Sequence, residues 1–209
     1  MMAPRHWRVA VTIVVALAAL TPRAARADGH DTQGRRVFEA KRCGQCHVPG
    51  GRESGMPALE ELRRPQGAWH LAGRLWNHGP AMFTALSSQA VPWPAFTIEE
   101  MTVLMVYLGV NPAADPAPDP QRGLAALVQK GCLKCHALGG EGARIAPALE
   151  SRADAFTSPA VWAARIWRHT PAMAAAAMAH GINYPRFTGH EMAQLVAYLK
   201  SRTGAPPAR

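Results

Sequence analysis

Cys-x-x-Cys-His occurs twice in this chain, as Cys43-Gly44-Gln45-Cys46-His47 and as Cys132-Leu133-Lys134-Cys135-His136, and the two pentapeptides use all four cysteines. The spacing has a direct chemical reading. Two thiols add across the vinyl groups of haem b, and the adjoining histidine reaches the iron as proximal ligand. The expected cofactors are two haem c groups, held by Cys43, Cys46, Cys132 and Cys135, with His47 and His136 on the irons. A zinc site needs four ligands, and the two pairs could supply one all-thiolate site between them. That reading leaves the histidine after each pair without a role. A thioredoxin-like motif needs a βαβ context, and no such pattern is visible.

The motifs belong to an internal repeat. Gly34 and Phe38 ahead of the first motif recur as Gly123 and Leu127 ahead of the second. Beyond the motifs the register shifts by two residues. Trp76 then pairs with Trp167, Pro80-Ala81-Met82 with Pro171-Ala172-Met173, and Trp93-Pro94-Ala95-Phe96-Thr97 with Tyr184-Pro185-Arg186-Phe187-Thr188. The four prolines of 111–120 forbid helix and predict an extended, semi-stiff strap. The expected organisation is a domain over 28–110, a Pro-rich linker over 111–120, a second domain over 121–203 and a tail over 204–209.

Residues 1–27 read as a secretory signal. A basic start (Arg5, His6, Arg8) precedes an apolar run from Val9 to Leu20, and Ala25-Arg26-Ala27 fits a cleavage site. The run is short for a bilayer span, so an uncleaved anchor is the weaker alternative. Export to the periplasm and a soluble mature form are expected. The chain carries a formal charge of +9, and the signal holds four arginines and no acid, which leaves +5 for the mature part. Haem propionates would offset most of that. Nothing in the charge pattern points to nucleic acid.

The periodicity is helical. Thr97 and Glu100 form a capping box, repeated by Thr188 and Glu191, and apolar residues follow each at helical spacing. Middle helices are expected from about Gln66 to His78 and from about Pro159 to His169, the second capped by Ser158. No stretch alternates convincingly with period two. The fold class is all-α.

On these residues the chain resembles the class I c-type cytochromes, in tandem. Gly34, Phe38 and Tyr107, with Gly123, Leu127 and Tyr198, look like the family's crossing N- and C-terminal helices. The resemblance implies two helical domains, each wrapped round one haem. Pro57-Ala58-Leu59 and Pro147-Ala148-Leu149 look like the family's proline loop. It implies that the Pro57 and Pro147 carbonyls accept a hydrogen bond from the proximal histidines. Such a bond fixes the ring and raises its basicity.

The sixth iron ligand decides the chemistry. A thioether raises the potential and suits electron transfer, a second histidine lowers it, and an open site admits small molecules. The family usually presents its distal methionine just before a proline ahead of the last helix. Here Trp93-Pro94 and Tyr184-Pro185 stand at that place. The better match is a loop leaving each middle helix, which offers Met82 and Met173. His78 and His169 also recur in register and are the alternative ligands. Met178, Met101 and Met192 read as packing. Trp69, Trp76, Trp162 and Trp167 read as haem packing on the middle helices, and Trp93 and Tyr184 as lining the distal pocket or meeting a propionate.

The expected activity is transfer of single electrons between redox proteins, such as a dehydrogenase, a respiratory complex or a terminal oxidase, with no catalysis by the chain itself. Lys41, Arg42, Lys130 and Lys134 are candidates for steering acidic partners. Two alternatives stand beside it. One is a dihaem peroxidase-like enzyme with an open distal site. The other is a dedicated electron-transfer subunit of a dehydrogenase or respiratory complex.

Overall fold

The computed structural model describes residues 22–51 and 56–203. Most of the expected signal segment and the whole 204–209 tail lie outside the described residues. The first helix, α1, spans Pro22–Ala40, so its opening residues belong to that segment. A single 3₁₀ turn, Cys43–Gln45, follows it. Then come α2 (Leu59–Leu62), α3 (Ala68–Ser88) and α4 (Ile98–Tyr107). The order repeats with α5 (Pro120–Gln129), the turn Cys132–Lys134, a 3₁₀ stretch Leu149–Phe156, α6 (Pro159–Ala179) and α7 (Gly189–Thr203). Among the described residues no helix is long and apolar enough to cross a membrane.

The one sheet among the described residues is a two-residue hairpin, β1 (Ala137–Leu138) against β2 (Glu141–Gly142), antiparallel with Ala137 opposite Gly142. Gly139 and Gly140 turn it with φ of 61° and 87°, the pair of positive angles that a tight hairpin turn demands. The first half has the matching Gly50-Gly51 step, at φ of 72° and 78°, and the hairpin of the second half is too short to show as period-two alternation.

In each half the first and last helices cross: α1 on α4, and α5 on α7. Glycine makes the crossing close. A Cβ on Gly34 would stand 2.1 Å from the Val103 carbonyl oxygen, and one on Gly123 would stand 2.0 Å from that of Gln194. Both last helices open on complete capping boxes. The Glu100 N–H donates to Thr97 Oγ1 at 3.1 Å while Glu100 Oε2 accepts from the Thr97 N–H at 2.9 Å, and Thr188 and Glu191 repeat this at 3.1 and 2.8 Å. The faces so presented are buried, with Met101, Leu104 and Met105 in one half and Met192, Leu195, Val196 and Leu199 in the other. Met178 departs from the packing expectation: it is 79% exposed.

The middle helices run past their expected ends. Each continues through an internal proline, Pro80 or Pro171, for about another three turns. A proline inside a helix removes one N–H and orphans the carbonyl four residues earlier. For Pro171 that carbonyl belongs to Trp167, and the Trp93 indole N–H fills the vacancy at 3.0 Å. The donor comes from the other half of the molecule, so a local reading of the proline as a stop could not anticipate it.

The two halves are docked on each other through α3, α6 and α7. The 111–120 segment is not a free strap. Pro112–Ala114 forms a 3₁₀ turn capped by Asn111, and the Asp115 carboxylate accepts from the Ala68 N–H at 2.6 Å and the Trp69 N–H at 3.2 Å. Asp115 thus caps α3, whose own N-cap, Gly67, has no side chain to do so. The α3–α6 crossing is tight, because Gly79 lies where a Cβ would fall 2.4 Å from Thr170 Cγ2.

Candidate haem site

Each Cys-x-x-Cys-His motif starts from a left-handed residue, Arg42 at φ 63° and Gly131 at φ 72°, that turns the chain into the 3₁₀ step. Backbone bonds from His47 N–H to the Cys43 carbonyl (2.9 Å) and from His136 N–H to the Cys132 carbonyl (3.0 Å) close the turn. The first cysteine of each pair is desolvated, and burial pushes the Cys43 and Cys132 thiols up to about 11. A thiol held protonated is a poor nucleophile and a poor thiolate ligand. None of the four cysteines is in a disulfide. Among the described residues no group of three or more His, Cys, Asp or Glu is placed to hold a metal ion, so the pairs do not assemble an all-thiolate zinc site.

His47 Nδ1–H donates to the Pro57 carbonyl at 3.0 Å, and His136 Nδ1–H donates to the Pro147 carbonyl at 2.8 Å. A carbonyl can only accept, so the contact fixes the proton on Nδ1 and leaves the Nε2 lone pair free for an iron.

The second half contains a cavity of about 360 Å³. Cys132, His136 and Pro147 form one side, and His169 and Met173 face into it from α6. Phe156, Trp162 and Leu195 are among the apolar residues that enclose it, and Arg152 and Arg165 supply cations at its wall. Arg165 is also paired with Asp154. The residues fit a haem: a mostly apolar slot lined by the Cys132 thiol and the His136 imidazole, by a thioether and a second imidazole on α6, and by guanidinium groups able to meet propionates.

His169 and Met173 are one turn apart on α6, so one helix face offers both distal candidates. Neither leaves the helix on a loop, as the sequence pattern suggested; Met82 and Met173 ride on the extended α3 and α6. Burial lowers the pKa of His169, and Arg152, Arg168, Arg165 and His136 add to the shift. His78 is lowered likewise by burial, then Arg186, Arg74 and His47. Both shifts favour the neutral ring, the form that has a lone pair to offer. In the first half Cys43 and Met82 pack against the core cluster.

Lys41 and Lys130 are not free surface cations. Each pairs with the glutamate of its capping box, Lys41 with Glu100 and Lys130 with Glu191, both at 2.8 Å, and each ammonium lies 5.5 Å from a ring, Phe96 or Phe187. Arg42 and Lys134 are exposed.

The aromatic residues trade partners between halves. Trp93 stacks on Trp167 with ring centroids 4.2 Å apart, and Tyr184 stacks on Trp76 at 4.9 Å. The Trp76 indole N–H donates to the Pro185 carbonyl at 2.6 Å, and that of Trp167 to the Pro94 carbonyl at 2.7 Å. These pairs are related by the repeat register, so the halves meet about an approximate two-fold axis. Trp93 and Tyr184 are interface residues, spent on the other half's tryptophan. The Tyr184 hydroxyl is enclosed in the interface, and its burial raises the phenol pKa. Sequence reasoning missed Arg152 and Arg165 as cavity residues, and missed that Trp76 of the first half lines the cavity of the second. The available signal was the repeated Trp-x-x-x-Pro, which marks a tryptophan whose carbonyl is freed from its helix.

Residues 121–203 match the family model of cytochrome c. The matched stretch contains Cys132, Cys135, His136, Pro147, His169 and Met173. This segment is thus similar to a haem-carrying electron-transfer domain. No curated protein matches the chain, and no solved structure does.

Proposed function

We propose that the chain is a periplasmic dihaem c-type cytochrome that passes single electrons between redox proteins. Its two domains are 28–110 and 121–203, held by the pinned 111–120 segment. The observation that carries this reading is the second-half cavity, where His136, backed by the Pro147 carbonyl, shares one apolar slot with His169 and Met173. The repeated motif and the repeated His47–Pro57 contact extend the reading to the first half.

When bound, haem supplies an iron that alternates between ferric and ferrous states. The chain's own part is to keep that change small. Cys43, Cys46, Cys132 and Cys135 attach the ring, and His47 and His136 hold their Nε2 atoms in one orientation. Met82 and Met173 are the proposed distal ligands, each on a continuous helix packed into the interface. Packing on both faces excludes water and limits reorganisation. Arg152 and Arg165 balance propionate charge in the second half.

The position of His169, one turn before Met173 and lining the same cavity, favours a second reading in which His78 and His169 are the distal ligands and the potentials are lower. The deciding experiment is expression of the full chain in a host able to attach haem, followed by intact mass and optical spectroscopy. The proposal expects a mass gain of two haems and a near-infrared thioether–iron band. A colourless polypeptide defeats it.

A further inference from the structure

Helix α3 stands between the two halves and shows a different residue to each. Trp76 and His78 are two residues apart, which at 3.6 residues per turn puts them about 200° apart, on nearly opposite faces. Met82 lies one turn beyond His78, on nearly the same face as it. The Trp76 ring lines the second-half cavity, stacks on Tyr184 and meets Phe187 edge-on at 5.6 Å. Phe187 lines that same cavity, and the bond from the Trp76 indole to the Pro185 carbonyl fixes the ring there. Met82, on the other face, packs against the core cluster that also takes Cys43 of the first motif.

We infer that Trp76 is a contact of the second half's haem although it belongs to the first half, and that α3 serves both cofactors: one face ligates the first, the other walls the second. This inference rests on the dihaem reading above. It has a consequence for electron flow. An α-helix is only about 10 Å across with its side chains, so residues on opposite faces of α3 lie about that far apart. With both haems bound, one electron would leave the ferrous iron of one half and arrive at the ferric iron of the other. The indole supplies the packed medium between them. It is neither oxidised nor reduced, and no proton moves.

The test uses the full-length holoprotein and the variants Trp76→Phe and Trp76→Leu. Intact mass first counts the haems. Proton NMR of the ferric protein then resolves the haem methyl resonances as two sets, and Trp162→Phe identifies the second-half set, because Trp162 lines that cavity from its own half. Trp76→Phe is expected to move the second-half set. Trp76→Leu is expected to slow inter-haem equilibration after flash reduction. Two haems with a second-half set unmoved by either variant, or an unchanged equilibration rate in Trp76→Leu, overturns this inference and leaves the carrier reading standing. Fewer than two haems in the parent protein overturns the dihaem reading and this inference with it. Trp76→Phe keeps the stacked ring, so the resonance test survives if the leucine variant does not fold.

Discussion

The Trp93 indole N–H donates to the Trp167 carbonyl oxygen at 3.0 Å, and that carbonyl is the one Pro171 removes from the α6 ladder. A helix interrupted in one half is thereby completed by a side chain from the other. Trp93→Phe keeps an aromatic ring over Trp167 and removes the donor together with the indole's five-membered ring. Leaving a buried carbonyl unpaired should cost about 1–3 kcal/mol. Urea unfolding of the holoprotein checks this, and an unchanged midpoint would show that the bond is not needed.

Gly34 and Gly123 should tolerate nothing larger. An added Cβ would overlap the Val103 or Gln194 carbonyl, so α1 and α4, or α5 and α7, must separate. Gly34→Ala and Gly123→Ala are each expected to destabilise the chain by about 1–3 kcal/mol, the usual cost of overpacking. Thermal unfolding followed at the Soret band reads the loss.

Acid should weaken both halves through the same device. Burial opposes ionisation of Glu100 and Glu191, but the hydrogen bonds and charge of Lys41 and Lys130 outweigh it and bring both carboxyls below their ordinary value. A depressed folded pKa stabilises above the unfolded value, near 4.3, and loses that contribution as pH falls through the folded one. Stability should therefore drop as the pH passes below about 4. Glu100→Gln and Glu191→Gln should flatten that dependence, as measured by urea midpoints at neutral and acid pH.

Met173→Ala should abolish one half of the near-infrared thioether band, and Met82→Ala the other half, while His169→Ala and His78→Ala leave it in place. The reverse pattern would assign the histidines as ligands. Rapid carbon monoxide binding by the ferrous parent protein would instead mark an open iron and favour a peroxidase-like enzyme.

Cys132→Ser with Cys135→Ser should remove one haem from the intact mass and leave the other attached. Loss of both would mean that the halves do not load independently.

The parts legible in the chain are those whose chemistry lies within a few residues. Cys-x-x-Cys-His spans one 3₁₀ step, Thr97 and Glu100 cap a single turn, and Gly34 recurs as Gly123 because both mark the same helix crossing. The parts that needed three dimensions all depend on a remote partner. Pro171 reads as a stop until Trp93 supplies a donor from the other half, and α6 then carries Met173 on a helix rather than a loop. Lys130 reads as a surface charge until α7 brings Glu191 to it, and the 111–120 segment reads as an extended, semi-stiff strap until Asp115 reaches the bare end of α3. Trp76 reads as packing for its own half, and only the docking of α3 against α6 and α7 turns its ring toward the other. Capping and covalent attachment are settled by bonds between near neighbours. Which face of a helix meets which cavity is settled by burial summed over both halves, which no local window contains.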